Sequence, residues 1–123
     1  MKILSTGIDI VEVKRIKNIY FKFGTRFLDK VLTLEETSRL EDKGKSFYQS
    51  LAGRIAAKEA VYKALNSYDS KIKPKWQEIT VYNQDNGSPA VSLKITLEAG
   101  IIIVVSLSHT NDYAVANALL IKE

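Results

Sequence analysis

The chain has 123 residues, 46% hydrophobic and 26% charged, the proportions of one globular domain spanning 1–123, too short for two of ordinary size and unlike a disordered polymer. It has no cysteine, which excludes disulfides, thiolate metal sites and cysteine nucleophiles; with no apolar run near the roughly 20 residues that cross a bilayer and no signal-like opening segment, a cytoplasmic protein without membrane partners is expected. The net charge of +4 is amino-terminal, since residues 1–30 hold seven Lys/Arg against three Asp/Glu and the remainder holds eleven of each, a local field that favours encounter with an acidic partner.

Lys2 to Asp9 reads as a short strand with Asp9 at its end. From Val11 to Phe23 the apolar residues Val13, Ile16, Ile19/Tyr20 and Phe23 recur at helical spacing, leaving Lys14, Arg15, Lys17 and Lys22 mostly off the stripe. Gly24 breaks the pattern. Arg26 to Leu32 predicts another short helical turn, and Thr33-Leu34-Glu35-Glu36 has the capping-box spacing that starts a further helix toward Asp42, ended by Lys43-Gly44-Lys45. Leu51 to Leu65, rich in Ala, Leu, Lys and Glu and free of Pro, predicts a long helix. Within it Gly53, Ala57, Ala60 and Ala64 form a seam of small side chains on which another backbone can close.

A loop around Pro74 precedes strand-like runs at Glu78–Tyr82, Val91–Leu97, Ile101–Ser108 and Tyr113–Ile121, with Asn86-Gly87 as a hairpin signal between the first two. The unbroken apolar run Ile101–Val105 predicts a strand covered on both faces. Leu97 to Gly100 fits a turn or a single helical turn. The fold class that results is α+β, a mainly antiparallel sheet packed against a long helix.

Four residues distant in sequence, Asp9, Glu59, Lys63 and His109, each fall on or at the end of a regular element and are able to converge. Glu59 and Lys63 are four apart on the long helix and so either form a simple intrahelical ion pair or share a site. Asp9 either caps the following helix through Asp9-Ile10-Val11-Glu12 or joins Glu59 as a hard oxygen ligand, a pairing that suits Mg²⁺. His109, the sole histidine, lies in the polar stretch Ser106 to Asp112, which is either an ordinary turn or a cluster of donors for a phosphate. Neither a nucleophile elbow nor a Walker A or G-x-G-x-x-G sequence is present, so a serine hydrolase and an ordinary nucleotide-binding fold are disfavoured.

The ordered blocks Gly7-Ile8-Asp9-Ile10-Val11-Glu12, Arg26 to Thr33, Leu51-Ala52-Gly53-Arg54 through Lys58-Glu59-Ala60 to Lys63-Ala64, and Ser106-Leu107-Ser108-His109 with Tyr113-Ala114 resemble the holo-[acyl-carrier-protein] synthase family of 4′-phosphopantetheinyl transferases. The resemblance implies that family's fold and transfer of the phosphopantetheine arm of coenzyme A to a serine of apo acyl carrier protein, in support of fatty acid biosynthesis. It implies Mg²⁺ held by Asp9 and Glu59, a phosphate contact from Lys63, His109 near coenzyme A, and a homotrimer with sites between subunits. Glu59, Lys63 and His109 are thus the candidate catalytic residues, with Glu59 first choice as base.

Arg54 and Lys58, one helical turn apart, offer a cationic strip for a coenzyme A phosphate or simply a solvated face. Asn86, Gly87 and Pro89 resemble the family's turn near the adenine, and Ser108 and Thr110 flank His109 as further coenzyme A contacts. Lys14, Arg15 and Arg26 are the carrier-docking candidates, because acyl carrier proteins are acidic. Ala64-Leu65-Asn66-Ser67-Tyr68 departs from the glycine-rich turn common in the family after the lysine, and Val91–Ile101 lacks a clear helix found in longer relatives. The competing expectations are a noncatalytic adaptor that binds acidic proteins through its basic helix and, last, a nucleic-acid module, disfavoured because the early helices lack the aromatic interleaving of a stacking surface.

Overall fold

A computed structural model describes residues 1–40 and 44–123. The first strand, β1, covers Lys2–Glu12 and pairs antiparallel with the last strand, β5 (Tyr113–Lys122), from Lys2↔Lys122 to Glu12↔Tyr113, with a register shift between Ile3 and Ser5. It runs three residues past the expected end because the β-branched Ile10 and Val11 continue the ladder opposite Val115 and Ala114. Helix α1 therefore starts only at Val13 and ends at Phe23, and its N-cap, Glu12, makes no side-chain capping bond. Asp9 lies inside the strand opposite Ala116, so the capping alternative for it is not realised.

Helices α2 (Thr25–Val31) and α3 (Leu34–Leu40) follow. The Thr33/Glu36 capping box forms: Thr33 N donates to Glu36 Oε1 at 2.9 Å, and Glu36 N donates to Thr33 Oγ1 at 3.3 Å. The expected continuation of α3 to Asp42 and Lys43 falls outside the described residues. Helix α4 runs from Phe47 to Tyr68, longer than expected at both ends. Asn66 closes its exit, donating from Nδ2 to the carbonyls of Ser70 and Ile72 at 3.3 and 3.2 Å. Two more strands make a separate hairpin, β2 (Ile79–Asn83) and β3 (Pro89–Leu93), around Gly87, whose φ of 87° is open to glycine but rarely to other residues. The expected Val91–Leu97 run is shifted because the hairpin register pairs Pro89 with Asn83 at once. Lys94 N donates to Glu78 O at 2.9 Å, the last tie before the chain leaves the ladder. Leu97–Gly100 is a turn, closed by Ile101 N donating to Glu98 O at 3.2 Å, and no helix occurs between β3 and β4 (Ile101–His109).

β5 is central in a three-stranded sheet of order β1-β5-β4, and α4 lies across one face of it. Ala114, Ala116, Ala118, Leu120 and Val105 are buried there beneath Ala56, Ala57, Ala60, Val61 and Ala64. The small-residue seam works as expected, but the glycine that requires it is on the strand. A Cβ at Gly7 would stand 2.0 Å from Ala60 O and 2.7 Å from Ala64 N, whereas one at Gly53 would meet only Leu107 Cδ1 at 3.4 Å. Ser5 Oγ donates to Ala64 O at 2.6 Å and fastens the same contact.

The other face of the sheet is open. Ile8 and Ile10 of β1 are 62% and 66% exposed, and Ile102 and Val104 of β4 are 43% and 47% exposed. The expectation that Ile101–Val105 is covered on both faces is therefore not met within one chain: alternate residues face α4, and the rest form a bare apolar surface.

Candidate active site

Strand β1 turns Asp9 toward α4 while its neighbours Ile8 and Ile10 point to the open face. On α4 the four-residue spacing brings Glu59 and Lys63 to the side that meets this strand. Lys63 does not pair along its own helix. Its Nζ reaches across to the strand, donating to Asp9 Oδ1 and to Ile8 O, both at 3.0 Å. The intrahelical Glu59–Lys63 pair is thus replaced by a cross-element one. Burial pushes the Glu59 carboxyl above its ordinary pKa, the Asp9 charge pushes the same way, and Lys63 opposes both. Two carboxylates from two elements, one of them bonded to the ammonium, are a hard oxygen donor set that fits a divalent ion such as Mg²⁺, whose remaining positions water and a phosphate oxygen would fill.

Asp9 and Glu59 border a cavity of about 450 Å³ whose apolar wall includes Ile16, Phe27 and Ile55 and whose rim carries Arg15. A second cavity of about 270 Å³, lined by Tyr62, Pro74 and Ile79, adjoins it, and Glu59 and Trp76 border both. Trp76, the only tryptophan, escaped the sequence reading because the Lys-rich loop before it carries no motif; its signal was a large aromatic beside a predicted strand in an otherwise polar segment.

A third cavity, about 310 Å³, gathers residues from three elements: Arg54 from α4, Gly87 and Pro89 from the β2–β3 hairpin, and His109 from the end of β4. Gln49, Ser50 and Asn83 complete its polar lining. Arg54 is 7% exposed and its Nε has no hydrogen-bond partner among the described residues. Burial lowers its pKa, the Glu36 charge opposes that, and Arg39 adds repulsion. A desolvated guanidinium with an unspent N–H is suited to a phosphate. Asn86 braces the turn: its Oδ1 accepts from Ser88 N at 3.0 Å and Ser88 Oγ at 2.7 Å. Thr110 does the same between β4 and β5, its Oγ1 accepting from Asp112 N and Tyr113 N at 3.2 and 3.1 Å. Asn86, Ser108 and Thr110 adjoin this cavity without lining it.

The four residues expected to converge do so only in part. Asp9, Glu59 and Lys63 come together, while His109 borders a cavity that has no lining residue in common with theirs. Lys58 also departs from its expected place on a cationic strip. Its side chain is fully buried, with Nζ donating to Glu36 Oε1 at 2.5 Å and to Val31 O at 2.7 Å. Glu36 Oε2 accepts from Val81 N at 2.9 Å, so this ion pair ties α3 and β2 to the turn of α4 that presents Glu59. Glu36 had been legible only as a cap.

Lys14, Arg15 and Arg26 are exposed. Lys17 lies over Phe21 and Tyr48 at 5.8 and 5.6 Å, and Lys22 over Phe23 at 5.4 Å. The first helix therefore does interleave cations with aromatic rings, contrary to the sequence reading.

The sequence profile of the 4′-phosphopantetheinyl transferase superfamily matches residues 5–118. The chain belongs to that superfamily of enzymes. Within it, the chain is 41% identical over 116 residues to the holo-[acyl-carrier-protein] synthase of Chlorobaculum tepidum, covering 94% of this chain and 97% of that one. It is 40% identical over 116 residues to that of Chlamydia trachomatis, covering 92% and 95%. Among solved structures, the holo-[acyl-carrier-protein] synthase of Neisseria meningitidis superposes with a TM-score of 0.85 at 31% identity over 98% of this chain and 100% of that one. The Bacillus anthracis synthase, in complex with CoA (3′,5′-ADP), gives 0.79 at 31% identity over 98% of both chains.

Proposed function

We propose that this protein transfers the 4′-phosphopantetheine group of coenzyme A to a serine hydroxyl of apo acyl carrier protein, with Mg²⁺ as cofactor, and so supplies holo carrier for fatty acid biosynthesis. The observation that carries the reading is the convergence of Asp9 and Glu59 at one cavity, with the Lys63 ammonium bonded to Asp9. In the transfer, the serine oxygen bonds to the β-phosphorus of the donor as the bond from that phosphorus to the bridging oxygen breaks, releasing adenosine 3′,5′-bisphosphate. Asp9 and Glu59 would hold the ion, which supplies neutralisation of the charge that builds on the diphosphate. Lys63 brings a second cation to the same phosphates. Glu59, directly or through a bound water, takes up the serine proton. Lys58 serves the site from the interior by fixing α4, not by touching the donor.

The coenzyme A end is assigned to the Arg54 cavity, with Arg54 on a phosphate and Gly87, Pro89 and His109 around it; Asn86 and Thr110 act through the turns they brace, and Ser108 flanks His109 on β4. Because this cavity and the Asp9 cavity share no wall within one chain, each complete site is assembled from two neighbouring subunits of a homotrimer. The bare apolar face formed by Ile8, Ile10, Ile102 and Val104 supports such an assembly. Carrier protein docks on the exposed Lys14, Arg15 and Arg26, a reading supported by Arg15 bordering the same cavity as Asp9 and Glu59. No helix is long and apolar enough to cross a membrane among the described residues, in keeping with a cytoplasmic setting.

Incubation with apo acyl carrier protein, coenzyme A and Mg²⁺ tests the reading. Intact mass should show the carrier gaining one phosphopantetheine. A folded protein that modifies none of several apo carriers would overturn it, and carrier binding indifferent to Asp9→Ala and Glu59→Ala would favour an adaptor instead.

A further inference from the structure

Lys63 is paired with Asp9, one of the two carboxylates proposed to hold the ion. Its Nζ is 3.0 Å from Asp9 Oδ1 and 3.0 Å from the carbonyl oxygen of Ile8. The ammonium is half exposed while Asp9 is 17% exposed, so the lysine is free to swing away and the carboxylate is not. With both carboxyls ionised, the trio carries a net negative charge, which repels a diphosphate. A divalent ion on the carboxylates reverses that sign, and the lysine it releases becomes a further cation for the phosphates.

We infer that Lys63 is an internal counter-ion that competes with the divalent ion for Asp9, so that the ion binds weakly to the free protein and tightly only when the donor's diphosphate draws the ammonium away. The inference rests on the proposed metal and coenzyme A site and adds to it an order of events. Ion and donor each make room for the other through one lysine, a reciprocal coupling between two ligands. Lys63 is then a positioning residue before it is a phosphate contact: it keeps the Asp9 carboxylate aimed at α4 while no ion is present.

The test is calorimetric titration of Mg²⁺ into the full chain, with and without coenzyme A, for the wild type, Lys63→Gln and Lys63→Arg, with circular dichroism to verify folding. Without coenzyme A, Lys63→Gln should bind Mg²⁺ about two- to fivefold more tightly than wild type, the range for a partly screened ion pair. Lys63→Arg, which keeps the charge, should stay as weak as wild type. The gain in Mg²⁺ affinity on adding coenzyme A should be smaller in Lys63→Gln than in wild type. Equal or weaker Mg²⁺ binding by Lys63→Gln, with the wild type still binding the ion alongside coenzyme A, would overturn the competition and leave the metal site standing. Absence of Mg²⁺ binding by the wild type even with coenzyme A would overturn both.

Discussion

Gly7 of β1 and Ala60 of α4 are in backbone contact: a methyl group placed on Gly7 would stand 2.0 Å from the Ala60 carbonyl oxygen. No side-chain rotation relieves such a clash, because the obstacle is main chain. Asp9 lies two residues further along the same strand and Glu59 is the residue before Ala60, so this contact sets how closely the two carboxylates approach. Gly7→Ala should cost about 3 kcal/mol of stability by overpacking, measured by denaturant unfolding. The substitution should also reduce Mg²⁺ affinity in whatever fraction remains folded. Unchanged stability would show that the strand and helix are further apart than described.

The buried pair of Lys58 and Glu36 gives a second stability prediction. Removing one partner leaves the other charged in an apolar interior, so Lys58→Met should lose about 3–5 kcal/mol. The double variant Glu36→Leu/Lys58→Met should recover much of that, although the Val81 N–H then loses its acceptor. Equal losses in the single and double variants would mean that the pair acts through packing rather than charge.

Glu59→Gln separates folding from function. The Glu59 pKa is raised above 4.5 in the folded protein, so the native state favours the protonated form, and Glu59 loses stabilising influence as the pH rises through the window above 4.5. In metal-free buffer the Gln variant should therefore melt higher than wild type at pH 7, with the difference vanishing below about pH 4, where the carboxyl is protonated in both states. Turnover in the mass assay should fall at least about 100-fold. A variant that melts lower at pH 7, or turns over normally, would remove Glu59 from its assigned role.

Separate cavities on one chain make a complementation test possible. Asp9→Ala disables one half of the proposed composite site and Arg54→Ala the other. Each homogeneous variant should be nearly inactive, whereas mixed subunits after unfolding and refolding together should regain a measurable share of activity, from interfaces that receive an intact half from each. Mixtures that stay inactive would place both halves within one subunit's site.

Charge reversal on the first helix addresses the carrier. Arg15→Glu should raise the KM for acyl carrier protein several-fold, with little effect on coenzyme A affinity, because the rim of the Asp9 cavity loses its attraction for an acidic partner. Higher ionic strength should weaken the wild type in the same direction. A KM that ignores both changes would exclude this surface from docking.

Much of this arrangement was legible in the sequence because it depends on local rules. Helical periodicity marked α1, helix-forming composition marked α4, the Thr33/Glu36 box formed as spelled, and Asn86-Gly87 marked its hairpin. What was illegible depends on partners distant along the chain. Nothing near Asp9 says that β5 pairs beside it and keeps it in a strand rather than at a helix start. Lys58 and Arg54 look alike on a helical wheel, yet one is neutralised inside the protein by Glu36, an acid 22 residues away, and the other borders a cavity. Lys63 has Glu59 as its natural helical neighbour but finds Asp9 across the gap. The Ile101–Val105 run announced burial on two sides, and only one of them is covered within the chain.

That bare side bears on how the protein is made. A newly synthesised chain carries Ile8, Ile10, Ile102 and Val104 uncovered, a sticky apolar surface. In the proposed trimer, catalytic output would depend on encounters between subunits as well as on the amount of protein present, so scarce chains would contribute less than their share and crowded ones more, until every face is matched.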